Sequence, residues 1–105
     1  MQELLDAPAH QLVSWIRAKK VSPVEVIEAH IERIEAVNPA LNAVIYDRYE
    51  QSRRAAKAAE AQVLAAKDPE DLPPLLGVPY SAKEYISVEG MPLSAGIWSR
   101  RDMRA

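Results

Sequence analysis

A lysine and a glutamate interrupt a largely apolar segment in the last third of the sequence. Residues 75–90 read LLGVPYSAKEYISVEG, with Lys83 next to Glu84. The stretch 78–88 is rich in β-forming residues, so we predict a strand there. A lysine in a covered strand can act as a base where burial keeps its amine neutral, whereas a lysine on an edge strand reaches solvent, which is the commoner arrangement. The spacing of the residues leaves both interpretations open.

The backbone around this lysine is constrained by two neighbours and by strand geometry. Successive side chains of a strand point to opposite faces, so Lys83 and Glu84 need not pair with each other. Gly77 lacks a Cβ and permits a turn or a close backbone approach before the strand. Pro79 removes a ladder donor and favours an edge position or a bulge. The glycine and the proline fit a purely structural role as well as a place beside an active site.

Upstream of this segment, the sequence predicts two helices in its first 40 residues. The first spans about 9–20, where apolar residues line one side and basic residues favour the C-terminal end. The second spans 23–37 and has the clearer start, because Ser22, Pro23 and Glu25 match an N-cap, a proline at the first helical position and the carboxylate of a capping box. One apolar stripe of this helix has three- and four-residue spacing. Its members are Val24, Ile27, Ile31 and Ile34.

A short strand and a long helix are predicted next. The Asn38-Pro39 pair ends the second helix, and residues 41–46 (LNAVIY) are too short for a helix and favour a strand. The alanine-rich stretch 48–67 contains no glycine or proline and predicts a largely exposed helix with a Glu50 to Arg54 pair. A proline-punctuated polar loop then leads to the lysine segment.

Composition and charge exclude several classes of function. The 105 residues carry a formal net charge of -2, which gives no general attraction for phosphate backbones or anionic membranes, so we expect no nucleic-acid or membrane partner. There is no cysteine, and His10 and His30 make a poor metal set, so neither a metal nor a cofactor is expected. The sequence shows no secretory leader and no apolar stretch near the ~20 residues of a membrane span, so we expect a soluble, cytoplasmic protein.

The segment GVPYSAKE at 77–84, followed by the steps GMP and SAG, resembles the opening of the amidase signature family. That family has GVP, three residues, a lysine and an acidic residue, and then a GxP turn and a small-residue step. The stretch VSPVEVIEAHIERIEAVNPALNAV from Val21 also resembles the helix and strand that precede the motif. The resemblance covers nearly the whole chain and is strongest at 21–44 and 77–96.

The resemblance implies an α/β fold with a mixed central sheet covered by helices. Residues 1–105 would be the N-terminal portion of a single amidase domain, supplying helices and the first core strands. The implied enzyme is a serine hydrolase that cleaves carboxamides to an acid and ammonia or an amine, using a serine, a second serine on a cis peptide, and a lysine. Lys83 matches that lysine. It would act in its neutral form as a general base, which demands burial.

The other parts of such a site are only partly represented in the sequence. The 90–96 loop resembles a family segment near the substrate pocket, which makes Met91 and Ser94 candidates to border the acyl site, although a plain turn is equally compatible. Nothing matches the glycine- and serine-rich nucleophile segment of the family. We therefore expect a truncated chain that is inactive alone, whose partners are a small amide substrate and the rest of the amidase domain. The fragment is also expected to oligomerise, exchange strands or fold only in part.

Two alternative functions are compatible with the same residues. One is the amidase component of a glutamyl-tRNA amidotransferase, although that branch usually has a small residue after the glycine where this chain has Ile97 and Trp98. The other is a non-catalytic helical module that binds a partner through the apolar stripe of the 23–37 helix. The substrate is not determined by these residues.

Overall fold

A computed structural model describes residues 2–105 of the chain, and its first part is helical. The four α-helices are α1, Gln2–Asp6; α2, Ala9–Arg17; α3, Pro23–Leu41; and α4, Tyr49–Ala65. Single 3₁₀ turns follow at Pro69–Asp71 and Trp98–Arg100, and loops and turns make up the rest of 66–105. The radius of gyration is 15.5 Å, against about 13 Å for a compact domain of 100 residues. The chain is therefore elongated.

The helix α2 ends three residues earlier than the predicted 9–20 span because its last turn closes in a left-handed residue. Lys19 has φ +58°, its amide donates to the carbonyl of Ile16, and the amide of Lys20 donates to the carbonyl of Trp15. These two bonds form a Schellman motif, which satisfies the free carbonyls at a helix end. No local signal in the sequence indicates this stop, since the position usually holds glycine.

The helix α3 begins as predicted and ends later. The Ser22 side chain accepts from the amide of Glu25 at 3.0 Å, and the Glu25 carboxylate accepts from the amide of Ser22 at 2.8 Å, which confirms the capping box. Pro39 lies inside the last turn instead of ending the helix at 37. The helix stops after Leu41, where Asn42 takes the left-handed conformation that caps many helices.

Neither predicted strand is present in the part of the chain that the structure describes. At 41–46, the Asn38 side chain bonds both the amide and the carbonyl of Val44, at 2.8 and 2.9 Å, and so occupies the groups that a strand ladder would use. At 78–88, no second strand lies alongside to complete a ladder within residues 2–105. The described residues of this chain therefore contribute helices and loops, and none of the expected core strands.

The core lies where α2, α3 and α4 meet. Leu12, Ile16, Val26 and Val63 form a buried cluster. The predicted stripe of α3 is only partly correct, because Ile31 is buried while its other three members are half-buried. The fully buried Val26 lies outside that stripe. A helix with apolar residues on more than one side does not reveal from its periodicity which side faces the core.

The exposed face of α4 is held to α3 by an ion pair. The Arg53 guanidinium contacts the Glu28 carboxylate at 2.7 Å, and Glu50 also approaches Arg53, at 3.6 Å. Hydrogen bonding to Glu28 raises the pKa of Arg53 above its ordinary value. Glu50 thus pairs with Arg53 and not with the predicted Arg54, one residue further along the helix.

Gly77 brings the loop after α4 onto the helical core. Its φ is +85°, and a Cβ at this position would lie 3.0 Å from side-chain atoms of both Ile16 and Pro23. The expectation of a turn and a close approach is therefore confirmed. The half-buried Leu76 and Val78 on either side pack against the core cluster. This contact fixes where the chain leaves the core on its way to Lys83.

The close approach at Gly77 predicts an asymmetry between two glycines. Gly77→Ala meets both a left-handed backbone and a crowded site, so we expect the free energy of unfolding to fall by about 2–4 kcal/mol. Gly90 has φ +79°, and a Cβ at that position would meet nothing within 4 Å, so Gly90→Ala should cost only about 1 kcal/mol. Urea denaturation followed by circular dichroism measures both. Equal losses would show that the Gly77 contact with the helices contributes nothing.

Candidate functional site

Lys83 lies on a segment that leaves the helical core and runs across the surface. Val78 packs against the core, whereas Tyr80 is 84% exposed and Lys83 is also exposed. Among residues 2–105, no carboxylate forms a salt bridge with Lys83. The structure thus places the lysine at an open surface, in agreement with the expectation that it need not pair with Glu84.

A turn fixes the backbone on the C-terminal side of this lysine. The Lys83 carbonyl accepts from the amide of Ile86 at 2.8 Å, which closes a turn over residues 83–86. Because Glu84 is the second residue of that turn, its side chain is directed by the same backbone that carries the lysine. The side chain of Tyr85, which follows, is 65% exposed.

The Glu84 carboxylate binds a loop ten residues away. Its Oε1 accepts from the amide and from the hydroxyl of Ser94, both at 2.7 Å, and its Oε2 accepts from the amide of Ala95 at 2.7 Å. These distances are typical of charge-assisted bonds. Both carboxylate oxygens are therefore engaged, and the two halves of the segment are joined side chain to backbone.

The same contacts stabilise the ionised form of Glu84. The pKa of Glu84 is lowered from its ordinary value of 4.5, first by the hydroxyl of Ser94 and then by the Ser94 amide, with smaller contributions from the amides of Ala95 and Gly96. Partial desolvation acts in the opposite direction and is outweighed. Hydrogen bonds to a charged carboxylate favour that form, so Glu84 is ionised throughout the neutral range.

Met91 and Ser94, the candidate substrate-binding residues, lie on the loop that Glu84 binds. Both are half-buried. The loop is anchored to the last residues of the chain, since the amide of Leu93 donates to the carbonyl of Met103 and the amide of Ala105 donates to the carbonyl of Met91, each at 3.0 Å. Ser94 is thus occupied by Glu84, while the Met91 side chain is a more open candidate.

The site residue that sequence reasoning missed is Glu84 as a link between segments. The notable signal is an acidic residue beside the lysine and a Ser-Ala-Gly step further along, which together offer a carboxylate and successive free amides. Neither feature is informative until the fold brings them into contact.

The remaining polar residues do not assemble a second site. His10 is exposed, and the Nδ1 atom of His30 lies 2.8 Å from the carbonyl of Val26 within α3. In the described residues, no three groups of the kind that bind metals come together. No helix within 2–105 is long and apolar enough to cross a membrane.

Comparison with known proteins identifies the family. The sequence profile described as Amidase matches residues 25–105, which includes the Lys83 segment and the loop that Glu84 binds. The chain therefore belongs to the Amidase family, and the resemblance found in its motifs is confirmed. Membership of this family suggests an α/β fold for the domain as a whole, to which the described residues contribute only helices and loops.

Three relatives illustrate the range of the family. Fatty-acid amide hydrolase 2-A of Danio rerio is 41% identical over 95% of this chain and 20% of its own length. Indoleacetamide hydrolase of Bradyrhizobium diazoefficiens is 44% identical over 83% and 16%, and a glutamyl-tRNA(Gln) amidotransferase chain of Acidothermus cellulolyticus is 38% identical over 91% and 18%. The chain spans about a fifth of the length of the curated relatives it matches.

The lowered pKa of Glu84 predicts an acid-dependent release of the 94–96 loop. A carboxylate whose pKa is lower in the folded state stabilises the fold above its unfolded value, and this contribution is lost as the pH falls through the folded value. The Ser94 and Ala95 amide proton resonances should therefore move upfield together, with a midpoint below 4.5. Glu84→Gln should abolish this titration while leaving the α4 amides unchanged. A shared midpoint above 4.5 would contradict the assignment.

Proposed function

We propose that this chain is the N-terminal part of an amidase that hydrolyses a carboxamide C–N bond to an acid and ammonia or an amine. The observation that carries the proposal is the family match across residues 25–105, which includes the GVPYSAKE motif with its lysine. Relatives named for the hydrolysis of fatty-acid amides and of indoleacetamide support the same class of reaction.

In the proposed mechanism, Lys83 is the general base. Its neutral amine accepts a proton through a second serine, held on a cis peptide, from the nucleophilic serine. The serine oxygen attacks the amide carbonyl carbon, the C–N bond breaks, and the same proton passes to the departing amine. Water then hydrolyses the acyl-enzyme to release the acid. Both serines belong to a segment beyond residue 105.

The mechanism makes a demand that these residues do not meet alone. An exposed lysine is charged at neutral pH, whereas a base must be neutral, so other segments of the domain have to cover Lys83. The surface near it is suited to being covered, because Tyr80 and Trp98 are 84% and 78% exposed. Large apolar side chains exposed together indicate a contact surface. We propose the remainder of the amidase domain as the partner, and a small amide as the substrate.

A second candidate is the amidase component of a glutamyl-tRNA amidotransferase, since a relative named for that enzyme is 38% identical. The Ile97-Trp98 pair after Gly96 favours the first candidate, because we expect a small residue there in the amidotransferase branch. A non-catalytic helical module is less well supported, because the family match continues through the lysine segment instead of ending with the helices. The coding sequence after Ala105 separates these possibilities, since an amidase requires a glycine-flanked serine pair within about a hundred codons.

The role of Lys83 predicts a selective loss of activity. In the full-length protein, Lys83→Ala should lower kcat for hydrolysis of a fatty-acid primary amide by at least about 10²–10⁴-fold, the usual contribution of a general base. Lys57→Ala, at an exposed lysine on α4, is the matched control and should leave kcat unchanged. Ammonia release measures both. Near-normal turnover by Lys83→Ala would refute the assigned role.

The proposed location of both serines outside this segment predicts that residues 1–105 alone are inactive. A base without a nucleophile and without donors for the oxyanion cannot form the acyl intermediate. Purified 105-residue chain should release no more ammonia from an amide than its own Lys83→Ala variant. Hydrolysis above that control would show that these residues contain a complete site.

A further inference from the structure

The 94–96 loop has the form of an anion-binding nest, and the Glu84 carboxylate occupies it. Ala95 and Gly96 have φ +53° and +76°, and consecutive residues in such conformations turn their amides toward one side. The amides of Ser94 and Ala95 both donate to Glu84 at 2.7 Å. Alanine is strained in the left-handed region, so an interaction with the anion helps to hold the loop in this shape.

The hydroxyl of Ser94 adds a third contact and makes the arrangement specific. It donates to Oε1 of Glu84 at 2.7 Å and accepts from the amide of Gly96 at 3.3 Å. With both carboxylate oxygens engaged, Glu84 is not available to take up a proton from a substrate or to pair with Lys83. Its contacts are those of a group that fixes other residues in place.

The lysine segment has no comparable support elsewhere. Between Val78 and Lys83, no side-chain hydrogen bond holds the backbone to another part of residues 2–105. The 83–86 turn is closed by one backbone bond, and Glu84, inside that turn, connects it to a loop that is itself anchored on Met103 and Ala105. The position of the Lys83 backbone therefore depends on the Glu84 carboxylate.

We propose that Glu84 is a positioning residue for amide hydrolysis, fixing the Lys83 turn against the 94–96 loop through the three hydrogen bonds of its carboxylate. The proposal rests on the proposed function of Lys83. A proton-transfer group must be held in place to within a fraction of an ångström, and a misplacement of about 1 Å can reduce the rate about 100-fold. Substrate binding depends on other segments of the domain and is affected less.

The test uses the full-length protein and the hydrolysis of a fatty-acid primary amide, followed by ammonia release. Glu84→Gln keeps the shape but places an amide group against N–H donors, so kcat should fall about 100-fold while KM changes less than about threefold. Glu89→Gln is the matched control, because Glu89 is exposed on the same segment and has no side-chain hydrogen bond within 2–105. Its kinetics should equal those of the unmodified protein.

Two variants on the opposite side of the contact test the same link without changing Glu84. Ser94→Ala removes one of the three donors and should lower kcat about tenfold, whereas Ser94→Thr retains the hydroxyl and should restore kcat to within about threefold of normal. Hydrogen exchange followed by mass spectrometry should show the peptide containing residues 93–97 exchanging at least about tenfold faster in Glu84→Gln, with the α2–α4 peptides unchanged.

The outcomes separate this proposal from the proposed function. If Lys83→Ala is inactive but Glu84→Gln and Ser94→Ala keep normal kcat, the positioning role is overturned and the amidase function stands. If the unmodified full-length protein hydrolyses no amide, both are overturned. If the Glu84→Gln loss of kcat matches a loss of folded protein, with faster exchange throughout the helices, Glu84 has only a structural role and the proposal fails.

Discussion

The contact of Gly77 with Ile16 and Pro23 is the constraint on which the rest of the structure depends. It places a glycine backbone against the side chains at the end of α2 and the start of α3, at a distance that excludes even a methyl group. The half-buried apolar residues on either side of Gly77 complete the core cluster. Everything after residue 78 is therefore directed from one fixed point on the helical core.

Beyond that point the chain is ordered by a few polar contacts and not by burial. No described residue after Val63 is buried, and the segment carrying Lys83 exposes several aromatic side chains. In place of a strand ladder, the Glu84 carboxylate and the pairing of residues 90–93 with the chain end hold the backbone. A segment of this kind keeps its shape through specific hydrogen bonds, so single substitutions among those groups have local consequences.

The helices were predictable because the signals that start them are local. The capping box of Ser22 and Glu25 lies within four residues, and proline at the first helical position has a fixed and favourable φ. The errors occurred where a local signal met a tertiary contact. Residues 41–46 have strand propensity, but the Asn38 side chain takes both backbone groups of Val44. At 78–88, propensity alone cannot supply the neighbouring strand that a ladder requires.

By itself, the sequence determined the start of α3, the need for a small residue at position 77 and the motif that assigns the chain to its family, because each depends on residues adjacent in the chain. Only the tertiary structure decided that Val26 faces the core, which side chains Gly77 approaches, and that Glu84 binds the 94–96 loop instead of its neighbouring lysine. These contacts join residues about ten to sixty positions apart. Their geometry follows from how the helices pack, which no local spacing of residue types encodes.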